Sequence, residues 1–366
     1  MSAVALAQER EGSVAAPVRL QTVAQGLEHP WSLAFLPGGR FLVTERPGRL
    51  RVVEPDGRLR EPVAGLPAVA AAGQGGLLDV ALDVDFERNR RLFFCFAEPD
   101  PAGSANGTAL ASARLSDNLQ RLEQVRVVFR QVPKVPGGLH FGCRIVQAPG
   151  GLLWLALGER YQYRDNAQRL DNHHGKIVRI APDGSVPADN PFRGQAGALP
   201  EIWSLGHRNP QGAALGPDGR LWMHEHGPQG GDEVNRPEPG RNYGWPLVTF
   251  GEEYGGGRIG QGSQRAGLEP PLHQWTPSIA PSGMVWVSGE RYAASWKGSL
   301  LVGSLKFGSL HRLQWDGTRL VREERVLPAR PGERIRDVRQ GPDGWVYLLT
   351  DSPQGKLQRL VNGEGS

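Results

Sequence analysis

The sequence predicts an all-β protein, a six-bladed β-propeller whose ring is closed by strands from the two ends of the chain. Two observations predict it. A phrase made of a Gly-containing turn, an apolar run and a polar end returns six times: LPGGRFLVTE (36–45), RNRRLFFCFAE (88–98), APGGLLWLALGE (148–159), GPDGRLWMHE (216–225), SWKGSLLVGSL (295–305) and GPDGWVYLLTD (341–351). The second observation is that 50 Gly and 30 Pro in 366 residues punctuate the hydrophobic runs throughout, so almost no segment keeps a helical apolar period unbroken. The spacing of the phrases is irregular, but each interval holds about four short strands, the content of one propeller blade.

Taken in order, VRLQTVAQGL (18–27) reads as a strand to be paired with the final KLQRLVNG, closing the ring and removing exposed sheet edges. In each repeated phrase the turn residues supply tight reversals, and the β-branched and aromatic run behind them fits a pleated sheet. A second strand type, GRLRVVEP, GKIVRIAP and GSLHRLQW, fits as the hairpin partner of the strand before it. A pair of β-sandwiches or an irregular barrel would not need equal repeated phrases. The expected single domain spans residues 17–363 behind a disordered tail, 1–16. In a propeller the loops of one face surround the central channel, so polar residues from distant blades can meet there.

Composition narrows the function. The 42 basic and 38 acidic side chains are interspersed, which argues against nucleic acid, yet scattered arginines converging in space suit an anionic cofactor or substrate. Cys95 and Cys143 are the two cysteines, too few for a disulfide framework or a cysteine metal site; a single bridge between them is left open. No apolar run is long enough to span a bilayer, so the expectation is a soluble form. The opening MSAVALAQEREGS lacks a basic n-region and a full apolar segment, although Ala5 and Ala7 in VALAQE resemble the end of an export signal.

Chemistry concentrates in residues 201–246. Arg208 and Asn209 precede a Pro there, and Asp232, Glu233 and Tyr243 could supply hard oxygen ligands to calcium; taken alone, the acidic pair reads sooner as solvated loop carboxylates. Elsewhere His140, at a loop-to-strand junction, is a candidate base. Its rivals are His173, His174, His224 and His226, and the last two share a strand face without an evident third ligand for zinc. Arg334 and Arg336 share a face of an extended segment, Lys306 adds a compact cation, and Gln74 in a Gly loop can both donate and accept hydrogen bonds.

In their order along the chain, GQGGLLDVALD, HFGCRIV, LGER, EIWSLGHRNPQG, HGPQGGDE, NYGWP, SGM and the Lys306 phrase resemble the soluble quinoprotein aldose sugar dehydrogenases of the glucose/sorbosone dehydrogenase family, over nearly the whole chain. The resemblance implies pyrroloquinoline quinone (PQQ) and Ca2+ as cofactors in the mouth of the propeller channel. It implies His140 as general base oriented by Glu159, taking the anomeric proton while hydride leaves C1, with Arg208 stabilising the oxyanion that develops. Gln74, Arg208, Asn209, Tyr254, Lys306, Arg334 and Arg336 match PQQ contacts. Gly227 and Pro228 match the carbonyls that hold the cofactor calcium, and Glu233 and Tyr243 match ligands of a structural calcium. The implied substrate is an aldose and the product its aldonolactone. A separate quinone, dye or cytochrome would accept the electrons, in a periplasmic or secreted monomer or dimer. A catalytically inactive propeller serving as a binding or scaffold module is the alternative. Two stretches depart from the family pattern: Cys143 puts an oxidisable thiol three residues past His140, and the middle of LGERYQYRDNAQRLDNHHGK, expected to shape the pocket, is the chain's own.

Overall fold

The computed structural model describes residues 18–330 and 332–363; the expected tail, 1–16, and the expected domain start at residue 17 lie outside the described residues. Six antiparallel sheets form the six expected blades, five with four strands and the first with three. Their innermost strands, Pro30–Leu36, Leu77–Leu82, Gly142–Gln147, Pro210–Leu215, Pro281–Trp286 and Ile335–Gln340, pack against one another in that order, and the last returns to the first.

Each repeated phrase supplies the second strand of its blade. Because second and innermost strands are antiparallel, the polar end of a phrase lies beside the start of an innermost strand, as in Pro30↔Glu45, Pro210↔Glu225 and Ile335↔Thr350. The repeat therefore delivers polar residues to one face of the ring. The runs are apolar on both sides because a blade is buried between its neighbours: Leu92, Phe93, Phe94, Cys95 and Phe96 are all fully buried. The second strand type is the hairpin partner in each case, Arg49–Val53, Lys176–Ile180 and Leu310–Asp316. Ring closure also follows the expectation, with Val18–Leu27 antiparallel to Gly355–Asn362 as the outermost strand of the sixth blade. The three-stranded first blade is covered at its edge by residues 59–63, where Leu59 bridges Val53 and the Val63 amide donates to the Leu50 carbonyl.

The axis below the site is filled by charge. Arg144, buried against the Trp31 ring, reaches Asp337 at 3.0 Å and Asp79 at 3.3 Å, and Arg339 bonds the same two carboxylates at 3.0 and 2.8 Å. Asp79 also accepts from the Ile145 amide and Asp337 from the Leu33 amide. Innermost strands of blades one, two, three and six are thus tied through alternating charges, with main-chain amides on the Oδ2 of each carboxylate.

Cys95 and Cys143 form a disulfide between the second strand of blade two and the innermost strand of blade three. Both are fully buried, so the expectation of an oxidisable thiol beside His140 is corrected: Cys143 is already oxidised. The bridge closes a separation of 48 residues. It also holds Cys143 at φ +83, where a side chain is strained and where the strand carries a bulge. Full reduction, verified by thiol titration, is expected to remove about 2–4 kcal/mol of unfolding free energy in a urea melt. An unchanged midpoint would mean that the bridge constrains nothing.

Candidate active site

The face on which the phrases end holds His140. Its ring Nδ1 lies 2.7 Å from Glu159 Oε2, both side chains are buried, and the His140 amide donates to Gln74 Oε1 at 2.9 Å. A carboxylate on Nδ1 fixes the tautomer in which Nε2 has a free lone pair. Burial holds the imidazole below its ordinary pKa, with the Arg208 and Arg160 charges acting in the same direction and Glu159 opposing them. His140 is therefore neutral at neutral pH and able to take a proton.

Local backbone chemistry explains why these groups meet. His140 sits at φ +51 and Gly142 at φ +69, and Gly158 lets the neighbouring strand pass so close that a Cβ there would stand 2.1 Å from the His140 carbonyl oxygen. Only glycine fits that crossing. Arg160 then pins the loop: it lies over the Phe141 ring and donates to the carbonyls of Leu139, Asn106 and Gly137. Its burial lowers its pKa to about 10, still leaving it charged.

A cavity of about 200 Å³ opens beside this pair. Of the residues matched to cofactor contacts, Gln74, Asn209, Arg334 and Arg336 line it, together with Trp31, Arg46 and His226. Arg336 is held by Asp351 at 3.0 Å and by Gln211 Oε1 at 3.1 Å, and Asp351 in turn is held well below the usual carboxylate range, chiefly by the Arg336 charge working against burial. Three arginines thus face one lining carboxylate, a surplus that calls for an anion. Lys306 stands on the rim, exposed, its Nζ 5.1 Å from the Phe307 ring centre and next to the lining residue Leu305.

Arg208 lies between this cavity and a second of about 310 Å³, lined by Glu159, Tyr161, Arg164, Arg208, Pro228, Trp245, Glu253 and Tyr254. The Arg208 guanidinium sits 5.2 Å from the Trp245 ring centre and donates to the Gly227 carbonyl at 2.7 Å and the His226 carbonyl at 3.0 Å. The Gly227 oxygen expected to face a cation is thus shared with Arg208. Tyr254, 62% exposed, occupies the outer wall of the second cavity. The Nε groups of Arg208 and Arg336 and the Oε1 of Glu159 are buried and without a partner among the described residues, polar atoms that a bound ligand would satisfy.

Of the acidic pair at 232 and 233, Asp232 is buried and Glu233 half-buried. Asp232 is a loop anchor, accepting from the amides of Gly227 at 2.9 Å and Ala280 at 2.8 Å. Glu233 lies directly across the sheet from Glu225, a like-charge pair that destabilises unless a proton or cation joins it. Burial first, then the Glu225 charge, pushes the Glu233 carboxyl well above its ordinary pKa. Asn235 Nδ2 reaches both carboxylates, its Oδ1 is buried without a partner among the described residues, and a small void beside them is lined by Glu225, Glu233, Gly227, Gly231, Tyr243 and Thr249. Tyr243 stacks on His207 and spends its hydroxyl on the Arg236 carbonyl, so only its main-chain oxygen is left to serve as a ligand. Among the described residues no group of three or more His, Cys, Asp or Glu side chains is arranged for a metal. That removes the paired-histidine zinc reading: His224 is buried against Gly212, and His226 Nε2 lies 2.7 Å from the Pro281 carbonyl. Two carboxylates with amide and main-chain oxygens remain, a hard-oxygen set of the kind calcium takes.

Sequence reading missed Arg46, Arg160, Glu225 and Trp245, and weighed His226 only as a rival base or zinc ligand. A signal for Arg46, Arg160 and His226 was present. The residue just after a repeated phrase is Arg46, Arg160, His226 or Lys306 in four of the six blades, a basic position presented to the same face each time.

Comparison with known proteins agrees with this architecture. The family model described as "Glucose / Sorbosone dehydrogenase" matches residues 27–359. The "Aldose sugar dehydrogenase YliI" of Escherichia coli is 45% identical over 94% of this chain and 93% of its own length. Among solved structures, a glucose dehydrogenase superposes with a TM-score of 0.91 at 50% identity, covering 94% of this chain and 100% of its own. The PQQ-bound form of an aldose sugar dehydrogenase from Streptomyces coelicolor superposes with a TM-score of 0.76 at 30% identity, over 94% of this chain and 99% of its own.

Proposed function

The chain belongs to the glucose/sorbosone dehydrogenase family, and from that premise we propose that it oxidises aldose sugars at C1 to aldonolactones with PQQ and calcium. The observation that carries the proposal is the buried His140–Glu159 pair set between an arginine-lined cavity and an aromatic, polar one. Arg46, Arg334 and Arg336, with Lys306 on the rim, match a flat cofactor bearing three carboxylates, and the partnerless Nε groups of Arg208 and Arg336 are donors held ready for it. When bound, PQQ supplies the acceptor for the hydride and its two electrons, and calcium supplies a Lewis acid.

The protein's own residues do the rest. His140 takes the proton of the anomeric hydroxyl on Nε2 while Glu159 holds Nδ1–H and stabilises the imidazolium that forms. As the hydride leaves C1, the C1–O bond becomes the carbonyl of the lactone. Gln74 and Asn209 orient the cofactor edge, Gly227 and Pro228 offer carbonyls to its cation, and Arg208, already set among those carbonyls, faces developing negative charge. Tyr254 closes the outer wall. Glu233, Glu225, Asn235 and the Tyr243 carbonyl hold a second, structural calcium, which relieves the buried carboxylate repulsion.

A separate acceptor, a quinone, dye or cytochrome, reoxidises the cofactor. The buried disulfide favours an oxidising compartment, in keeping with a periplasmic or secreted enzyme, and no helix among the described residues is long and apolar enough to cross a membrane. The test is reconstitution with PQQ and calcium, followed by dye reduction with a panel of aldoses. Turnover that needs both additions and disappears on chelation is the expected result; no PQQ binding, with His140 intact, would sink the proposal.

A further inference from the structure

Two loops face each other across the cavity of about 310 Å³. One leaves the second strand of blade three at Glu159 and ends in the short 3-10 helix Arg164–Gln168. The other is a hairpin, 251–258, in which Glu252 pairs with Arg258 and with Gln229 at the hairpin base. Between them Arg164 Nη1 meets Glu253 Oε1 at 2.6 Å, with each side chain 41% exposed. The first loop is fixed behind this contact, because the Gln168 amide donates to the Trp245 carbonyl at 2.7 Å and exchanges hydrogen bonds with Asn242.

We infer that Arg164 and Glu253 determine sugar specificity, by exchanging their mutual ion pair for hydrogen bonds to sugar hydroxyls remote from C1; the inference rests on the dehydrogenase reading above. Geometry sets the direction. Glu159 and Arg208, the residues flanking the reacting carbon, line the inner part of this cavity, and Tyr161, whose ring centre is 5.2 Å from that of His140, leads outward from it. A pyranose with C1 at His140 therefore points its far hydroxyls toward Arg164 and Glu253. The Trp245 ring, a further lining group, offers an apolar surface to the C–H face of the sugar.

The chemistry suits that task. An exposed ion pair contributes little to stability, so giving it up for a ligand costs little. A guanidinium presents forked donors and a carboxylate presents acceptors, and adjacent hydroxyls on a sugar ring require both. Arg164 also sits in the middle of RYQYRDNAQ, the stretch expected from the sequence to shape the pocket. The pair acts in binding and leaves the proton transfer at His140 untouched.

The experiment compares wild type, Glu253→Gln, Arg164→Met and the charge swap Arg164→Glu/Glu253→Arg, each reconstituted with PQQ and calcium. Steady-state rates are measured on a hexose, its C4 epimer and a pentose, and binding of the corresponding hexonolactone to the same holoenzymes is measured by calorimetry. The single variants are expected to weaken lactone binding and raise KM for the hexose by roughly tenfold, with kcat little changed and the preference over the epimer and the pentose reduced. Unchanged lactone affinity and an unchanged order of preference in both single variants would overturn the inference. A wild type that turns over no aldose overturns the dehydrogenase reading instead, while its lactone affinity, altered or not by Glu253→Gln, still decides the role of the pair.

Discussion

Glu159→Gln is expected to lower kcat by about 10²–10⁴-fold while PQQ affinity, measured by absorbance titration, stays within a few-fold of wild type. The carboxylate is 2.7 Å from His140 Nδ1 and also accepts from the Tyr161 amide, so it fixes both the tautomer and the loop that holds it. A glutamine keeps the shape but can present its amide N–H to Nδ1, which favours the tautomer with the proton on Nε2 and removes the base from the side facing substrate. The pH profile separates this from a structural defect. A base is active when deprotonated, so activity is lost as pH falls through the pKa of His140, already lowered below 6.5 by burial. Glu159 opposes that lowering, and removing its charge moves the acid limb of kcat/KM to lower pH even as the plateau drops. A limb that shifts upward, or a plateau that does not fall, would take Glu159 out of the role. His140→Ala, with no base left, should abolish turnover and still bind cofactor.

Much of this arrangement is legible in the sequence, for identifiable reasons. The phrase from Leu36 to Glu45 and its five relatives carry turn, apolar run and polar end in a fixed order, and antiparallel pairing then sends every polar end to one face. That is why His140, Glu159, Asn209, Arg334 and Arg336, far apart in the chain, converge there. What stayed hidden depends on three-dimensional pairing. Cys95 and Cys143 lie in different blades, and nothing in a count of two cysteines says that two neighbouring strands bring them together. Asp232 and Glu233 follow a Gly-rich loop and read as solvated; only the cross-strand register Glu225↔Glu233 turns the second into a half-buried member of a like-charge pair. Asp79, Arg144, Asp337 and Arg339 are scattered charges within innermost strands, and each alone resembles an edge residue until the ring places them on a common axis.

That axis gives the largest expected change in stability. Arg144→Met should cost about 3–5 kcal/mol in urea unfolding, because it strands Asp79 and Asp337, both fully buried, with Arg339 as their remaining cation. Removing Arg339 should cost less, since its side chain is 23% exposed and water can reach the space it leaves. If the cost comes from unpaired charge and not from lost packing against Trp31, Arg144→Met/Asp337→Asn should recover part of it, an outcome that a simple cavity would not give. A loss below about 1 kcal/mol for Arg144→Met would show that solvent or rearrangement compensates the carboxylates. The same variant reaches the site: Arg144 Nε donates to the Gln211 carbonyl at 2.6 Å and Nη2 to the Arg336 carbonyl at 3.4 Å, and the Gln211 side chain in turn holds Arg336. Weakened PQQ binding without any change in the acid limb set by His140 is therefore expected alongside the lost stability, because the axis supports the arginines of the cavity and leaves the base alone.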